Sequence, residues 1–306
     1  MEATFGRTYS GVGAVGDAVP RKVKLPIREA LPPDRQQFDP PEPAEFKLLK
    51  LERPFVTPQG IVLPSTDKYG WPHGDAYEAL LKARQCRIST STTFRGLKFK
   101  RRYEALSLNE QRILLSLAFH PYVLDVRDQY GLYNPATLLK ALNSRERMLR
   151  QHLMTIDVVV TYLLPGSSTL RYHGISIKPE SYIADKSELA RESRERKALA
   201  ERGWTWELLR GNAVTDLEYS NNFMMYSTIR DQDIEHNYEE GRWFANVLLK
   251  SKAQGNMRSV LGRISRRVGI SDDAAHQLFA VAAAYGFLTV DHSRPLRVDL
   301  PLHLVR

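Results

Sequence analysis

An α/β fold is predicted for this chain of 306 residues: a mixed sheet flanked by helices, followed by a small helical unit that ends in a hairpin. Three observations predict it. Leu114, Leu117 and Ala118 recur at helical spacing behind Ser107, a good helix starter. Two runs rich in β-branched and aromatic residues flank Pro165-Gly166-Ser167-Ser168, the composition of a hairpin turn. Beyond a linker near 231–241 the period changes, and three helical stretches precede two short extended ones.

Ten prolines from Pro20 to Pro64 disfavour helix and central strand, so 1–65 reads as a Pro-rich extension, a partner-binding tail or an inert linker. A short helix is expected over 74–84, with Ala76, Leu80 and Leu81 on one face. A basic loop then leads into a strand over 96–103. The helix from Ser107 stops at His120-Pro121, and 122–127 reads as a strand. Residues 131–152 are ambiguous, with a helix around 136–142 that Asn134 would cap. Strands over 155–164 and 169–178 form the hairpin, and Pro179 stops the second. A strongly charged helix over 185–203, ended by Gly203, and a strand over 204–210 complete a mixed sheet with helices on both faces. Helices at 243–250, 259–268 and 271–285 precede strands near 287–291 and 296–304, which is winged-helix order. The expected divisions are therefore 1–65, 66–235 and 236–306.

Composition narrows the function. An apolar fraction of 42% suffices for a packed core. The single cysteine, Cys86, excludes a disulfide framework and a thiolate zinc site, and fits a reducing, cytoplasmic compartment. No run of roughly 18 apolar residues exists, so neither a membrane span nor a secretory signal is expected. A net charge of +9 favours a polyanionic partner, of which nucleic acid is the commonest. Seven of the basic residues (Arg84, Arg87, Arg95, Lys98, Lys100, Arg101 and Arg102) fall in one stretch without an acid, with aromatic Phe94 and Phe99 interleaved. Arg95, Lys98, Lys100, Arg101 and Arg102 are the candidates for a DNA-backbone clamp. Arg258, Arg263, Arg266 and Arg267 crowd the second C-terminal helix. The third begins Ser271-Asp272-Asp273 and is rich in alanine, so the unit is expected to pack on protein more than to read bases.

The candidate chemistry lies in three spaced residues: Glu110 on a helix, Asp157 at the head of a strand and Lys178 inside the next. Ser107-Leu108-Asn109-Glu110 has the form of a capping box, in which the glutamate satisfies only a backbone donor. Ile113, Leu114 and Leu117 nevertheless put Glu110 on the buried face, where a carboxylate needs a partner. Aspartate is depleted in strands, and its ordinary reading is a solvated strand start. Ser176 and Lys178 share one face of their strand and Ile177 takes the other; the ordinary reading of Lys178 is a lysine that snorkels to water. Two acids and a lysine converging at a sheet edge suit metal-dependent phosphodiester cleavage.

Longer stretches carry a resemblance. Leu106 to Leu117, Val123-Leu124-Asp125-Val126-Arg127-Asp128-Gln129-Tyr130, Thr155-Ile156-Asp157 and Ile175-Ser176-Ile177-Lys178-Pro179 follow one another at characteristic intervals. The charged helix, Trp204-Thr205-Trp206 and Phe223-Met224-Met225-Tyr226-Ser227 complete the set. From Tyr77 to Ile234 the chain resembles the TnsA-type endonuclease subunit of heteromeric DNA transposases, in the PD-(D/E)XK restriction-endonuclease-like superfamily. The resemblance implies a restriction-endonuclease-like sheet and a winged-helix-like C-terminal domain. It implies catalytic Glu110, Asp157 and Lys178, with Mg²⁺ or Mn²⁺ on Glu110, Asp157 and the Ile177 carbonyl. It implies hydrolysis at the 5′ ends of a mobile element in bacterial DNA, beside a DDE-type transposase subunit and an AAA+ ATPase regulator. Ser176 departs from the pattern: the superfamily usually has Asp or Glu there, and this branch tends to have Gln. Serine is short and uncharged, so it can hold a water but is not expected to ligate directly. Glu180, beyond Pro179, is the nearest alternative acid. Two other readings are open, a catalytically weak DNA-binding assembly subunit and a stand-alone restriction or repair nuclease.

Overall fold

The computed structural model describes residues 46–86, 89–133, 135–146 and 152–305. Most of the Pro-rich stretch and Arg87 of the basic run lie outside them. Residues 46–65, expected in the extension, are part of the fold. Leu48 is fully buried, the Glu52 carbonyl accepts from the Tyr122 hydroxyl at 2.6 Å, and the Thr57 N–H donates to the Tyr285 carbonyl at 2.9 Å.

The central sheet has four strands in the order β3 (Val123–Tyr133), β4 (Leu153–Tyr162), β5 (Arg171–Lys178) and β6 (Thr205–Arg210). The first two pairings are antiparallel and β5–β6 is parallel, so the sheet is mixed as expected. Helix α1 (Leu108–Ala118) packs on one face through Ile113, Leu114 and Leu117, against Val126, Val158 and Val160. The other face carries α2 (Pro135–Asn143), α3 (Lys186–Ala200) and an extended strap around Trp71, Tyr77 and Leu80. Gly174 lets α3 approach β5, because a Cβ there would collide with Leu199.

Two elements differ from expectation. The stretch 74–84 is no helix but two 3₁₀ turns joined by an extended segment. Gly74 sits at φ +61 with the Phe99 ring where a Cβ would project, and the Leu80 N–H donates to the Gln129 carbonyl instead of closing a helical turn. The strand expected over 96–103 is instead a hairpin, β1 (Thr92–Arg95) and β2 (Arg102–Ala105). Hairpin and strap together explain why β3, a sheet edge, is buried along its whole length and runs well past the expected 127.

That cover is held by buried charge. Arg127 is fully buried and pairs with Asp67 of the strap at 2.6 Å, and the Tyr130 hydroxyl donates to the same carboxylate at 2.6 Å. Arg101 pairs with Asp128 at 2.6 Å, and the second Asp128 oxygen accepts from the Glu104 N–H at 2.7 Å. Removing one partner of such a pair leaves an uncompensated charge. We expect Asp67→Ala to cost about 3–5 kcal/mol in urea unfolding, with much of the loss recovered in the Asp67→Ala/Arg127→Met double variant.

The C-terminal part contains α4 (Asp216–Ile229), α5 (Tyr238–Lys250), α6 (Met257–Val268) and α7 (Asp272–Ala284). Two short strands, β7 (Thr289–Val290) and β8 (Leu304–Val305), pair antiparallel after them; the hairpin is as expected, but its second strand lies at the end of the expected 296–304 and not along it. Helix α4 had no assigned element in the sequence reading. It buries Asn221 and Asn222 beside Met225 and Tyr226, which blurs its apolar stripe. Asn221 ties α4 to the C-terminal loop, accepting from the Leu296 N–H at 2.8 Å and donating to the Arg294 carbonyl at 2.9 Å. One apolar cluster runs through α4, α5, α6 and α7 and takes in Leu115, Ala118 and Phe119 at the end of α1. It therefore crosses the expected division at 235/236. No helix among the described residues is long and apolar enough to cross a membrane.

Candidate active site

The site forms where two strands part. From Val158↔Ile175 to Tyr162↔Arg171 the β4–β5 ladder is regular, and it stops one step before Asp157. Strand β5 continues alongside β6 to Lys178↔Arg210, so β4 and β5 fork at Asp157. The Ile177 N–H faces the fork and donates to Asp157 Oδ2 at 2.6 Å. Asp157 is thus inside β4 instead of at its head. The strand also changes phase there. Ile156 packs on the α3 side, while Val158 and Val160 pack on the α1 side, although all three share parity.

Glu110 reaches the same place from the first turn of α1. The Ser107 cap forms, but without the reciprocal bond of a capping box. Ser107 caps the helix, its hydroxyl accepting from the Glu110 N–H at 3.2 Å, and the Glu110 carboxylate turns back to the Leu106 N–H at 2.9 Å. Yet Glu110 is buried, and Oε2 also accepts from Gln129 Nε2 of β3 at 2.9 Å. Burial, and next the charge of Asp157, push the Glu110 pKa up to about 8, against the pull of the Leu106 and Ser107 donors. Asp157 is raised to about 6, chiefly by burial; the Ile177 N–H opposes the rise, Glu195 adds to it, and Arg191 and Lys178 oppose it. The two carboxylates are linked through Gln129, which gives its amide to Glu110 and stands at the ladder position opposite Asp157. The Lys178 ammonium lies 5.1 Å from the centre of the Tyr182 ring.

Sequence reasoning missed Glu195. It projects from α3, is buried, and accepts from the Ser176 hydroxyl at 2.6 Å and from Arg191 Nε at 2.8 Å. Trp206 Nε1 donates to Ser176 Oγ at 3.1 Å and completes the group. Ser176 thus has a carboxylate of α3 as its hydrogen-bond partner. Glu180, the alternative acid, faces outward and accepts from Asn212 at 2.9 Å. One signal was available: Leu199, the buried apolar residue of α3, lies four positions beyond Glu195 and on its face.

The fork offers hard oxygen donors. Among the described residues, Glu110 Oε1 accepts only from the Ser107 hydroxyl, at 3.1 Å, and Asp157 Oδ1 takes no donor. Among the described residues, no group of three or more His, Cys, Asp or Glu side chains is gathered in a form that could hold a metal ion. Two carboxylates suit Mg²⁺ or Mn²⁺, which keep several waters, and do not suit a closed zinc site. The desolvated pair also has more to gain from a cation than from any neighbouring side chain. The residues therefore fit a hydrated divalent ion. For Ile177, the contact seen at the fork is its N–H to Asp157.

The basic stretch divides. Lys98 is turned inward, donating to the His120 carbonyl at 3.2 Å and to that of Val123, and burial lowers its pKa to about 7. Arg101 is buried on Asp128 and lies 4.6 Å from the centre of the Tyr103 ring. Of the five clamp candidates, Arg101 is buried and Lys98 gives its ammonium to backbone carbonyls within the fold. Lys100 is exposed, 3.0 Å from Asp233. Arg95 and Arg102 face each other across the β1–β2 ladder, a like-charge pairing that weakens a hairpin standing alone. Asp231, at 3.8 Å from Arg95 and largely exposed, offsets it in part.

No protein-family model matches this chain, and no curated protein matches it.

Proposed function

We propose that this chain is a divalent-cation-dependent DNA endonuclease, the TnsA-type subunit of a heteromeric transposase that hydrolyses phosphodiesters at the 5′ ends of a mobile element. The observation that carries the reading is the strand fork itself: Asp157 accepts the N–H of Ile177, next to Lys178, and Gln129, at the ladder position opposite Asp157, gives its amide to Glu110. The β3-β4-β5-β6 order, with α1 and α3 on opposite faces, suits a restriction-endonuclease-like core. Three helices and a hairpin suit a winged-helix-like C-terminal unit.

Glu110 and Asp157 would hold Mg²⁺ or Mn²⁺ through Glu110 Oε1 and Asp157 Oδ1. When bound, the cation supplies positive charge to the scissile phosphate and makes a water acidic enough to attack it. Lys178 balances the charge that builds on the phosphate oxygens. Glu195 orients Ser176, and Arg191 holds Glu195 in turn. Arg95, Lys100 and Arg102 line the DNA approach, and a phosphate between Arg95 and Arg102 would offset their mutual repulsion. A DDE-type transposase subunit and an AAA+ ATPase regulator are the partners this reading requires.

The test is cleavage of element-end DNA by the full chain with its partner subunits. Breaks at the 5′ ends with Mn²⁺, and none with EDTA, are expected. Intact DNA in both, with the 3′ ends cut normally, would overturn the reading. One observation favours a rival: among the described residues there is no cluster of three metal-ligating side chains, which suits a catalytically weak assembly subunit. That rival predicts assembly and DNA binding without any metal-dependent break.

A further inference from the structure

Gln129 interrupts its strand. From Asp125 to Tyr133 every residue of β3 has a ladder partner in β4 except this one, and the position opposite it is Asp157. Its φ is +49, in the left-handed region that non-glycine residues avoid, and strands seldom contain it. The phase of β3 changes with it: Val126 packs on the α1 side, and Tyr130 and Leu132, of the same parity, pack on the α3 side. The Gln129 carbonyl accepts from Leu80 of the strap at 3.2 Å. Its side chain is buried, and its amide donates to Glu110 Oε2 at 2.9 Å. Nothing about the sheet alone requires this conformation. A residue in regular β geometry would continue the ladder to Asp157 and alternate its side chain normally.

We propose that Gln129 is a positioning residue for the divalent-cation site. Its left-handed backbone aims the amide at Glu110, and the Gln129 and Leu106 donors together occupy Oε2, so that Oε1 is the oxygen presented to a cation alongside Asp157. The same kink removes the ladder bonds opposite Asp157 and leaves that carboxylate free to turn into the fork. One strained residue thereby orients both acids. This proposal rests on the nuclease reading for the identity of the site, and it goes further by assigning the cost of the strain to a task.

The test uses the full chain and two readouts, Mn²⁺ affinity by calorimetry and cleavage with the partner subunits. Gln129→Gly accepts the positive φ without strain but lacks the amide. Gln129→Asn tolerates it too, with an amide one carbon short. Both are expected to keep the wild-type melting temperature closely, to bind Mn²⁺ roughly 10- to 100-fold more weakly and to cleave correspondingly more slowly at limiting metal, as outer-shell substitutions do. Excess Mn²⁺ should restore much of the rate. A Gln129→Gly protein with wild-type Mn²⁺ affinity overturns the proposal, whatever its cleavage. Should the wild type bind Mn²⁺ and leave DNA intact, the nuclease reading fails and the affinity prediction for Gln129 stands. A wild type that binds no Mn²⁺ overturns both.

Discussion

Asp157→Asn and Lys178→Met are each expected to lower single-turnover cleavage on the order of a hundred- to a thousandfold while DNA binding stays intact. Asparagine is the informative choice at 157. Asp157 Oδ2 accepts the Ile177 N–H at 2.6 Å, and alanine would leave that donor at the fork without a partner. The amide keeps an acceptor there and removes only the charge. Methionine likewise fills the volume of the Lys178 stem, which lies along Tyr182, without the ammonium. Glu195→Gln should be milder, because it still accepts from Ser176 and Arg191. Oligonucleotide affinity measured beside the cleavage rate separates the outcomes. Full cleavage by either 157 or 178 variant would remove the chemical role assigned here, and equal loss of binding would reduce it to a structural one.

The second large effect is a pH-dependent stability that a divalent cation reverses. Glu110 titrates near 8 and Asp157 near 6 in the folded chain, both above their unfolded values. Between the unfolded and folded values the native state therefore holds more protons than the unfolded one, and their contribution to stability must fall as pH rises. No penalty exists below about pH 4, where both states are protonated. The penalty grows through pH 5–8 and is complete above the folded values, at a cost on the order of 5 kcal/mol for Glu110 and 3 kcal/mol for Asp157. A bound cation favours the ionised acids and opposes the loss. In EDTA, the urea midpoint of the wild type is expected to fall relative to that of Glu110→Gln from pH 5.5 to 8. With millimolar Mg²⁺ the decline should flatten. A metal-free difference that rises with pH would contradict the desolvated placement of Glu110.

Much of the fold was legible because its signals are local. The α1 period, the turn at Pro165-Gly166, the terminator Gly203 and the three C-terminal helices all sit where neighbouring residues dictate them. What escaped reading depends on distant partners. The strap at 74–84 has a helical spacing of leucines and alanines, but Leu80 gives its N–H to Gln129 of the sheet. Lys98 and Arg101 read as surface charge in a basic run; backbone carbonyls in one case and Asp128 in the other draw them inside. Glu195 looked like one more charge on a charged helix. Its meaning appears only when β5 brings Ser176 against it. Of the site itself, the order of Glu110, Asp157 and Lys178 was visible, but the fork and the kink at Gln129 that bring two of them together were not.

Helix α1 has its first turn at the fork and its last among the C-terminal helices. Eleven residues make a rod of about 16 Å, stiff on the scale of side-chain packing. Glu110 rides on one end of that rod; Leu115, Ala118 and Phe119 are clamped at the other by the cluster that α5 and α7 build. A protein that leans on those C-terminal helices therefore has a mechanical handle on a carboxylate it never touches. Tilting the rod by a few degrees moves Glu110 by a sizeable fraction of an ångström, which is the tolerance within which a hydrated Mg²⁺ accepts or refuses its ligands.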